Sequence, residues 1–240
     1  VENRIVGAPC GIMDQLTAAA GQKGRILSIL CQPDHILETV PLPPHAKLIG
    51  IHSKVKRSTS SSAYIDARTA AFMGLTILRK ELSLDELRDN YLCKLSVEDF
   101  RKRCWKILPA QMKGEHFLSQ YGETVDTVTQ FNPQKIYRVR SRVEHPVYEH
   151  ARVQQFIEHL KKANEAAGRG EAPAVVRTHL MKAGNLMYAS DWSYRFRVGL
   201  GSPQVHQIVR SVRKVGMRGG FYGAKITGGG GGGTYTRTPG

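Results

Sequence analysis

Gly223-Ala-Lys-Ile-Thr-Gly-Gly-Gly-Gly-Gly-Gly-Thr-Tyr235 sets six consecutive glycines between one short β-prone run and a second, Thr234-Tyr-Thr-Arg237. Glycine has no Cβ and tolerates positive φ, so the run lets a ligand or another backbone come close. Taken alone it reads equally well as a flexible low-complexity tract. Its companion lies at the other end of the chain, in Val6-Gly-Ala-Pro-Cys-Gly-Ile-Met-Asp-Gln15. There, glycines flank Pro9 and Cys10 and allow a tight turn before a helical segment.

Between these ends the chain has two textures. Ile12 to Gly21 reads as a short helix closed by glycine, Gln22-Lys-Gly24 as a turn, and Arg25 to Cys31 as a strand that Pro33 breaks. Ile36 to Val40 alternates weakly before Pro41, Pro43 and Pro44. Lys47-Leu-Ile-Gly-Ile-His-Ser53 is continuous enough in apolar character to be predicted as a strand buried on both faces. From Tyr64 to Leu82 the period is helical, through Ala67, Ala70, Ala71, Met73, Gly74, Ile77 and Leu78. Ser83-Leu-Asp-Glu86 and Ser96-Val-Glu-Asp99 both carry capping-box chemistry. Further helices are predicted over Gln111 to Tyr121, Pro146 to Ala167 (closed by Gly168), Val175 to Tyr194 and Pro203 to Val215. Thr124 to Val139 has no clear period, with Asn132-Pro133 as a turn. The expected class is α+β: a strand-rich start, a helix-rich remainder, and strands regained at the end.

The 240 residues include 35 Lys and Arg against 20 Asp and Glu, a net charge of +15. Residues 1–50 balance four basic against four acidic side chains, whereas 168–240 hold eleven basic and two acidic. That excess suits an anionic small molecule such as a nucleotide. The arginines are dispersed and aromatics do not interleave with them as a stacking platform requires, so nucleic acid is not the expected partner. No apolar run reaches the roughly 18 residues of a transmembrane helix, and no signal peptide is visible at Val1. Cys10, Cys31, Cys93 and Cys104 lack CxxC spacing, so neither a zinc site nor a disulfide framework is expected, and a reducing, cytoplasmic setting is the default. No metal site built from protein ligands is expected.

Asp14 is the candidate acid–base group. A carboxylate held beside a tight turn, between Met13 and Leu16, is partly desolvated and can take a proton from a substrate hydroxyl. The alternative from the same spacing is that Asp14 caps or salt-bridges the helix that follows.

Gly7-Ala-Pro-Cys-Gly-Ile-Met-Asp-Gln15 resembles the galactokinase-type segment of the GHMP small-molecule kinases, and Lys225-Ile-Thr-Gly-Gly-Gly-Gly-Gly-Gly-Thr234 resembles that family's C-terminal glycine-rich motif. Between them, Cys31-Gln-Pro33, Tyr91-Leu-Cys-Lys-Leu-Ser96, Phe117-Leu-Ser-Gln-Tyr-Gly122, Asp126-Thr-Val-Thr129, His145-Pro-Val-Tyr-Glu149 and Gly199-Leu-Gly-Ser202 are similar to the plant and algal L-arabinokinase type, in the same order. The resemblance implies a GHMP kinase fold. Residues 1–60 would be the end of an N-terminal α/β domain, and 61–240 a helix-rich α+β C-terminal domain. It implies a sugar 1-kinase using ATP and Mg2+ to make L-arabinose 1-phosphate, with galactokinase, or an inactive sugar-sensing or interaction module on the same fold, as alternatives. Asp14 is then the catalytic aspartate, and Tyr64 and Gly11 contact the monosaccharide. Gly228, Gly229, Gly230, Gly232 and Gly233 belong to the loop at the cofactor.

Two family motifs are missing: the Gly-Glu-His sugar segment and the Pro-x-x-x-Gly-Leu-Ser-Ser-Ser-Ala phosphate loop, whose amides would meet phosphates at a helix N-terminus. Both are expected upstream of Val1, so the chain is expected to be the C-terminal portion, with weak or no activity alone. Ser58-Thr-Ser-Ser-Ser-Ala63 and Gly114-Glu-His116 imitate them in the wrong order, and neither is expected to be functional. Departures at Ser60 to Ser62, Ser190-Asp-Trp-Ser-Tyr194, Arg195-Phe-Arg-Val198 and Pro203-Gln-Val-His206 bear on sugar specificity and on activity itself.

Overall fold

A computed structural model describes residues 11–31, 34–55, 62–82, 84, 87–129, 131–228 and 232–237. In chain order the elements are α1 (Met13–Ala20), β1 (Arg25–Cys31), β2 (Asp34–Pro41), β3 (Lys47–Ile51), α2 (Ser62–Glu81), α3 (Val97–Asp99) and β4 (Met112–Lys113). They continue with α4 (Gly114–Tyr121), β5 (Ile136–Tyr137), α5 (Val139–Gly168), α6 (Pro173–Ser193), α7 (Pro203–Val215), β6 (Gly223–Thr227) and β7 (Gly232–Arg237). The fold is helix-rich α+β. Contacts gather the described residues into two compact units: 62–151 with 193–200, and 11–55 with 152–192 and 201–237.

The first unit is built on α2, whose residues Ala67, Ala70, Met73, Gly74, Ile77 and Leu78 are all buried. Around it lie Phe100, Leu108, Phe117, Val139 and Val143, each with no measurable exposure. Gly74 is where α2 meets α5. A Cβ there would stand 2.1 Å from Val143 Cγ2 and 3.2 Å from Val139 Cγ1. The same stripe explains why α5 starts seven residues before the predicted Pro146. Val139, Val143 and Val147, four apart, are at most 1% exposed. Burying each contributes about 1.5–3 kcal/mol, together more than the roughly 3 kcal/mol that proline costs inside a helix.

Other expectations for this unit are met or corrected locally. Ser96 caps α3 as expected, its Oγ accepting from Asp99 N at 3.0 Å. The helix expected from Ser83 does not develop over the described residues: Leu87 to Asn90 form a turn, with Asn90 at φ +65°. Ser83, Asp85 and Glu86 lie outside the described residues. The helix predicted from Gln111 begins at Gly114, because Met112 and Lys113 pair with Tyr137 and Ile136 instead.

Arg68 on α2 donates to Asp126 through both Nε (2.9 Å) and Nη2 (3.0 Å), a forked pair that ties α2 to the 124–129 loop. The Asp126 side chain is only 3% exposed. Burial raises its pKa, but hydrogen bonds from Arg68, Thr129 and Val128 N, with the Arg68 charge, outweigh that and hold it below the usual carboxylate range. Its ionised form therefore stabilises the fold above the unfolded-state value near 3.9, and that contribution is lost as pH falls through the lower folded value.

In the second unit the β1–β2 hairpin packs on α5 and α6 through Val40, Ile157, Leu160, Ala163, Leu180 and Ala183. Asn164 Nδ2 donates to Pro41 O at 2.8 Å and Lys161 pairs with Glu38 at 2.5 Å, fixing the hairpin to α5. β3, β7 and β6 form an antiparallel sheet with β7 in the middle. β3 corrects the expectation of burial on both faces. Its Leu48 and Ile51 are exposed, because it pairs only with β7 among the described strands and lies at the sheet edge. An apolar run identifies a strand; it does not say how many layers cover it.

On α6, Gly184 meets Gly223, the first residue of β6. A Cβ on Gly184 would lie 2.0 Å from Tyr222 O, and one on Gly223 would lie 2.5 Å from Gly184 Cα. Backbone cannot swing aside as a side chain can. Gly184→Ala is expected to cost about 1–3 kcal/mol or more in urea unfolding, whereas Gly50→Ala, with nothing within 4 Å, should change stability by less than roughly 0.5 kcal/mol. Asp126→Asn is expected to lower stability at pH 7 and to flatten its fall between about pH 5 and 3, measured by urea unfolding across that range.

Candidate active site

Asp14 lies in the first turn of α1, where a carboxylate is favoured by the exposed amides of the helix start. The helix is preceded by Ile12, which supplies no side-chain cap, and closed by Gly21, whose N–H reaches Thr17 O at 2.9 Å. Asp14 is exposed, and α1 buries no residue. This corrects the expected partial desolvation: apolar Met13 and Leu16 lie beside Asp14 in sequence, but neither is buried and Met13 points largely to solvent. As for the alternative role, Asp14 does not sit at the cap position, which is Ile12, but it does occupy the first turn, where a carboxylate supports the helix. Gly11 is exposed, with open space where a Cβ would be. The Val6–Cys10 part of the turn lies outside the described residues.

The glycine run is the turn of the β6–β7 hairpin. Thr227 pairs with Gly232 and Ile226 with Gly233, leaving residues 228–231 as the connection. Gly228 has φ +60°, a left-handed conformation that favours glycine. Gly229, Gly230 and Gly231 lie outside the described residues. Gly233 is opposite Ile226 on one side and Ile51 on the other, so the last glycines form part of the central strand. Lys225, in β6, is half-buried.

One carboxylate holds this hairpin in place. Asp191, near the end of α6, is 8% exposed, and its Oδ1 accepts from Ile226 N at 3.2 Å on the outer edge of β6. An edge strand otherwise leaves such amides to water or to another chain. Nothing in the local pattern around Ser190-Asp-Trp marks this role. Gly184 did leave a trace, as a lone glycine inside a helical run, which often marks close packing.

The predicted site residues are thus distributed as follows. Asp14, Gly11, Gly228, Gly232 and Gly233 belong to the second unit, and pairing of β3 with β7 joins the segment that follows α1 to the strand that follows the glycines. That pairing links the two ends of the chain without carrying Asp14 itself to the loop. Tyr64 is half-buried in the first turns of α2, in the other unit. Gly114-Glu-His116, the imitation of the sugar triplet, has structural work instead. Gly114 packs on Asn132 and Pro133, where a Cβ would stand 2.5 Å from Asn132 O, Glu115 pairs with Lys113 at 2.7 Å, and His116 is exposed. Of Ser58–Ala63, positions 58–61 lie outside the described residues and Ala63 is in α2. Among the described residues no three His, Cys, Asp or Glu side chains gather as a metal site, and no helix is long and apolar enough to cross a membrane.

A helix, a β-hairpin, a helical middle and a closing glycine hairpin follow one another in this order, a helix-rich α+β arrangement. The chain superposes on the solved Lactococcus lactis galactokinase complexed with galactose with a TM-score of 0.67, at 20% identity, over 99% of this chain and 48% of that one. It is 33% identical to L-arabinokinase of Arabidopsis thaliana over 98% of this chain and 24% of that protein. It is 30% identical to the galactokinases of Actinobacillus pleuropneumoniae serotype 5b (strain L20) and Haemophilus influenzae (strain PittEE), each over 97% of this chain and 47% of the relative. No protein-family model matches. The chain is therefore homologous over nearly its whole length to L-arabinokinase and the galactokinases, of the GHMP kinase family. It spans about half the length of the galactokinases it matches, 47%, and a smaller share of the arabinokinase.

Asp191→Ala removes the acceptor for Ile226 N and is expected to lower stability by about 1–3 kcal/mol. Hydrogen exchange should show the Ile226 amide losing protection before the amides of α5.

Proposed function

We propose that the protein carrying this chain is an ATP-dependent sugar 1-kinase of the L-arabinokinase type, with galactose as the alternative substrate. The observation that carries this reading is the collinear homology to two kinds of sugar kinase along almost the whole chain. Residues 1–60 would complete the N-terminal domain of such a kinase and 61–240 form its C-terminal domain. The chain matches 47% of the galactokinases' length; in this reading the sugar-triplet and phosphate-loop motifs that it lacks are supplied elsewhere in the complete protein. The chain alone is then a weak kinase or none.

In this reading Asp14 is the base. Its exposed carboxylate, in the first turn of α1, would accept the proton of the anomeric hydroxyl. Tyr64 offers a hydroxyl to the sugar, and Gly11 leaves room for the sugar ring to approach. The glycine hairpin contributes backbone without side chains, and Gly228 at positive φ begins the turn. A bound ATP supplies the phosphoryl group, with Mg2+ screening its charge. The described residues fit the nucleotide only in part, through this hairpin. They do not fit a resident magnesium site, because no three ligating side chains gather. Magnesium usually leans on substrate phosphates and water, with one or two carboxylates, so an ion arriving with the nucleotide needs no such cluster. Phosphoryl transfer rests on positioning and charge stabilisation, so one base and a phosphate-holding loop suffice for the protein's share.

A coupled assay of ADP release tests the assignment on the complete protein. Asp14→Asn is expected to lower kcat by roughly a hundredfold or more while leaving the KM for ATP little changed. Tyr64→Phe is expected to raise the KM for sugar roughly two- to tenfold. Turnover untouched by Asp14→Asn would remove the base assignment. Sugar binding without any ADP release would point instead to the inactive sugar-sensing module.

A further inference from the structure

Asp126-Thr-Val-Thr129, which the sequence shows only as part of a family pattern, has a physical task in the first unit. The Asp126 carboxylate is fully engaged. Its Oδ2 accepts from Arg68 Nε at 2.9 Å and from the Thr129 hydroxyl, and its Oδ1 accepts from Arg68 Nη2 at 3.0 Å and from Val128 N at 3.1 Å. Arg68 Nε also donates to Thr129 Oγ1 at 3.0 Å. The guanidinium lies over the Phe72 ring, 5.1 Å from its centroid. Tyr64, Arg68 and Phe72 follow at four-residue intervals along α2 and therefore share one face of that helix. Asp66, in the same opening turns, pairs with Lys135.

The turn that carries Tyr64 has little apolar anchorage. Residues 62–66 include no buried side chain, and the first buried residue of α2 is Ala67. The opening amides of a helix have no partner within it, and no acidic residue stands in this first turn to offset them. Placement of the turn therefore leans on polar anchors. The Asp66–Lys135 pair, with side chains 30% and 38% exposed, is of the kind that holds weakly. The pair at Asp126, whose side chain is 3% exposed, is forked and desolvated, and such pairs are the stronger ones. We infer that Asp126, acting through Arg68, is a positioning residue for Tyr64 and sets how tightly the proposed kinase holds its sugar. The inference rests on the reading of Tyr64 as a sugar contact. A phenol that must meet a sugar hydroxyl at hydrogen-bond distance loses that bond when its helical turn shifts or frays by about an ångström.

Titration calorimetry of the complete protein with L-arabinose and with galactose tests this, alongside the ADP-release assay. Asp126→Asn keeps the shape but removes the charge from the fork. It is expected to raise the sugar Kd and KM roughly three- to tenfold, with the KM for ATP little changed. Thr129→Val should act in the same direction more weakly, and it serves if circular dichroism shows that Asp126→Asn unfolds. On a Tyr64→Phe background, Asp126→Asn should add almost nothing, because the contact it positions is already gone. Ser96→Ala is the structural control: it removes the cap of α3 and lowers stability, and sugar affinity should stay unchanged. An unchanged sugar Kd in Tyr64→Phe would remove the tyrosine contact itself, and the inference with it. Weakened binding in Tyr64→Phe beside unchanged binding in Asp126→Asn, losses that add in full, or an equal loss in Ser96→Ala would overturn the positioning role alone.

Discussion

The closing hairpin depends on a backbone contact with no room for a single methyl group. Where α6 crosses the start of β6, Gly184 and Gly223 face each other so closely that an added Cβ would fall 2.0 Å from Tyr222 O or 2.5 Å from Gly184 Cα. Seven residues along α6, Asp191 takes the amide of Ile226 on the strand's outer edge. β6 is thus held from its flank by a helix and from its other side by β7, which in turn pairs with β3. The glycine turn is short and side-chain-free, yet both its strands are fixed by neighbours. Close approach and edge satisfaction together fix β6, the strand that leads into the glycine run.

The motifs that carry the family resemblance turn out to have two different physical duties. Phe117 and Tyr121, Leu92 and Leu95, and the Asp126 pair with Arg68 are core and scaffold of the first unit. His145 meets Ser193 at 3.1 Å, and Tyr148 lies beneath the guanidinium of Arg197, which also pairs with Glu144 at 2.8 Å. The changes at Ser190 to Tyr194 and Arg195 to Val198 therefore touch packing and edge satisfaction directly, through Asp191, Ser193 and Arg197. Their effect on sugar preference would come through those supports. Asp14, Gly11, Tyr64 and the hairpin glycines are the residues to which the proposed function gives a role at the substrate instead.

Much of the fold was legible because local chemistry and tertiary structure agree. Arg25–Cys31 and Pro203–Val215 match their predicted spans, and Ser96 caps α3 as its pattern predicts. The failures share a cause, which is that local pattern does not report the neighbour. Pro146 looked like a helix start because the buried Val139–Val143–Val147 stripe that outweighs it lies against α2. Lys47–Ile51 looked doubly covered, but burial is decided by sheet position. Gln111 looked helical because the pairing of Met112 with Tyr137 spans twenty-five residues. For the site, residue types were legible and surroundings were not: exposure of Asp14 and the role of Asp191 follow from packing that no spacing reveals.

In the proposed function, the exposed carboxylate at the start of α1 and the glycine hairpin held by α6 would belong to one catalytic arrangement, in a chain that spans 47% of the galactokinases to which it is homologous. The most direct measurement is phosphorus NMR of the complete protein incubated with ATP, Mg2+ and either L-arabinose or galactose. The account predicts a sugar phosphate whose phosphorus couples to the anomeric proton, formed with ADP in equal amount. Phosphorylation at any other hydroxyl, or ATP left intact in the presence of both sugars, would contradict it.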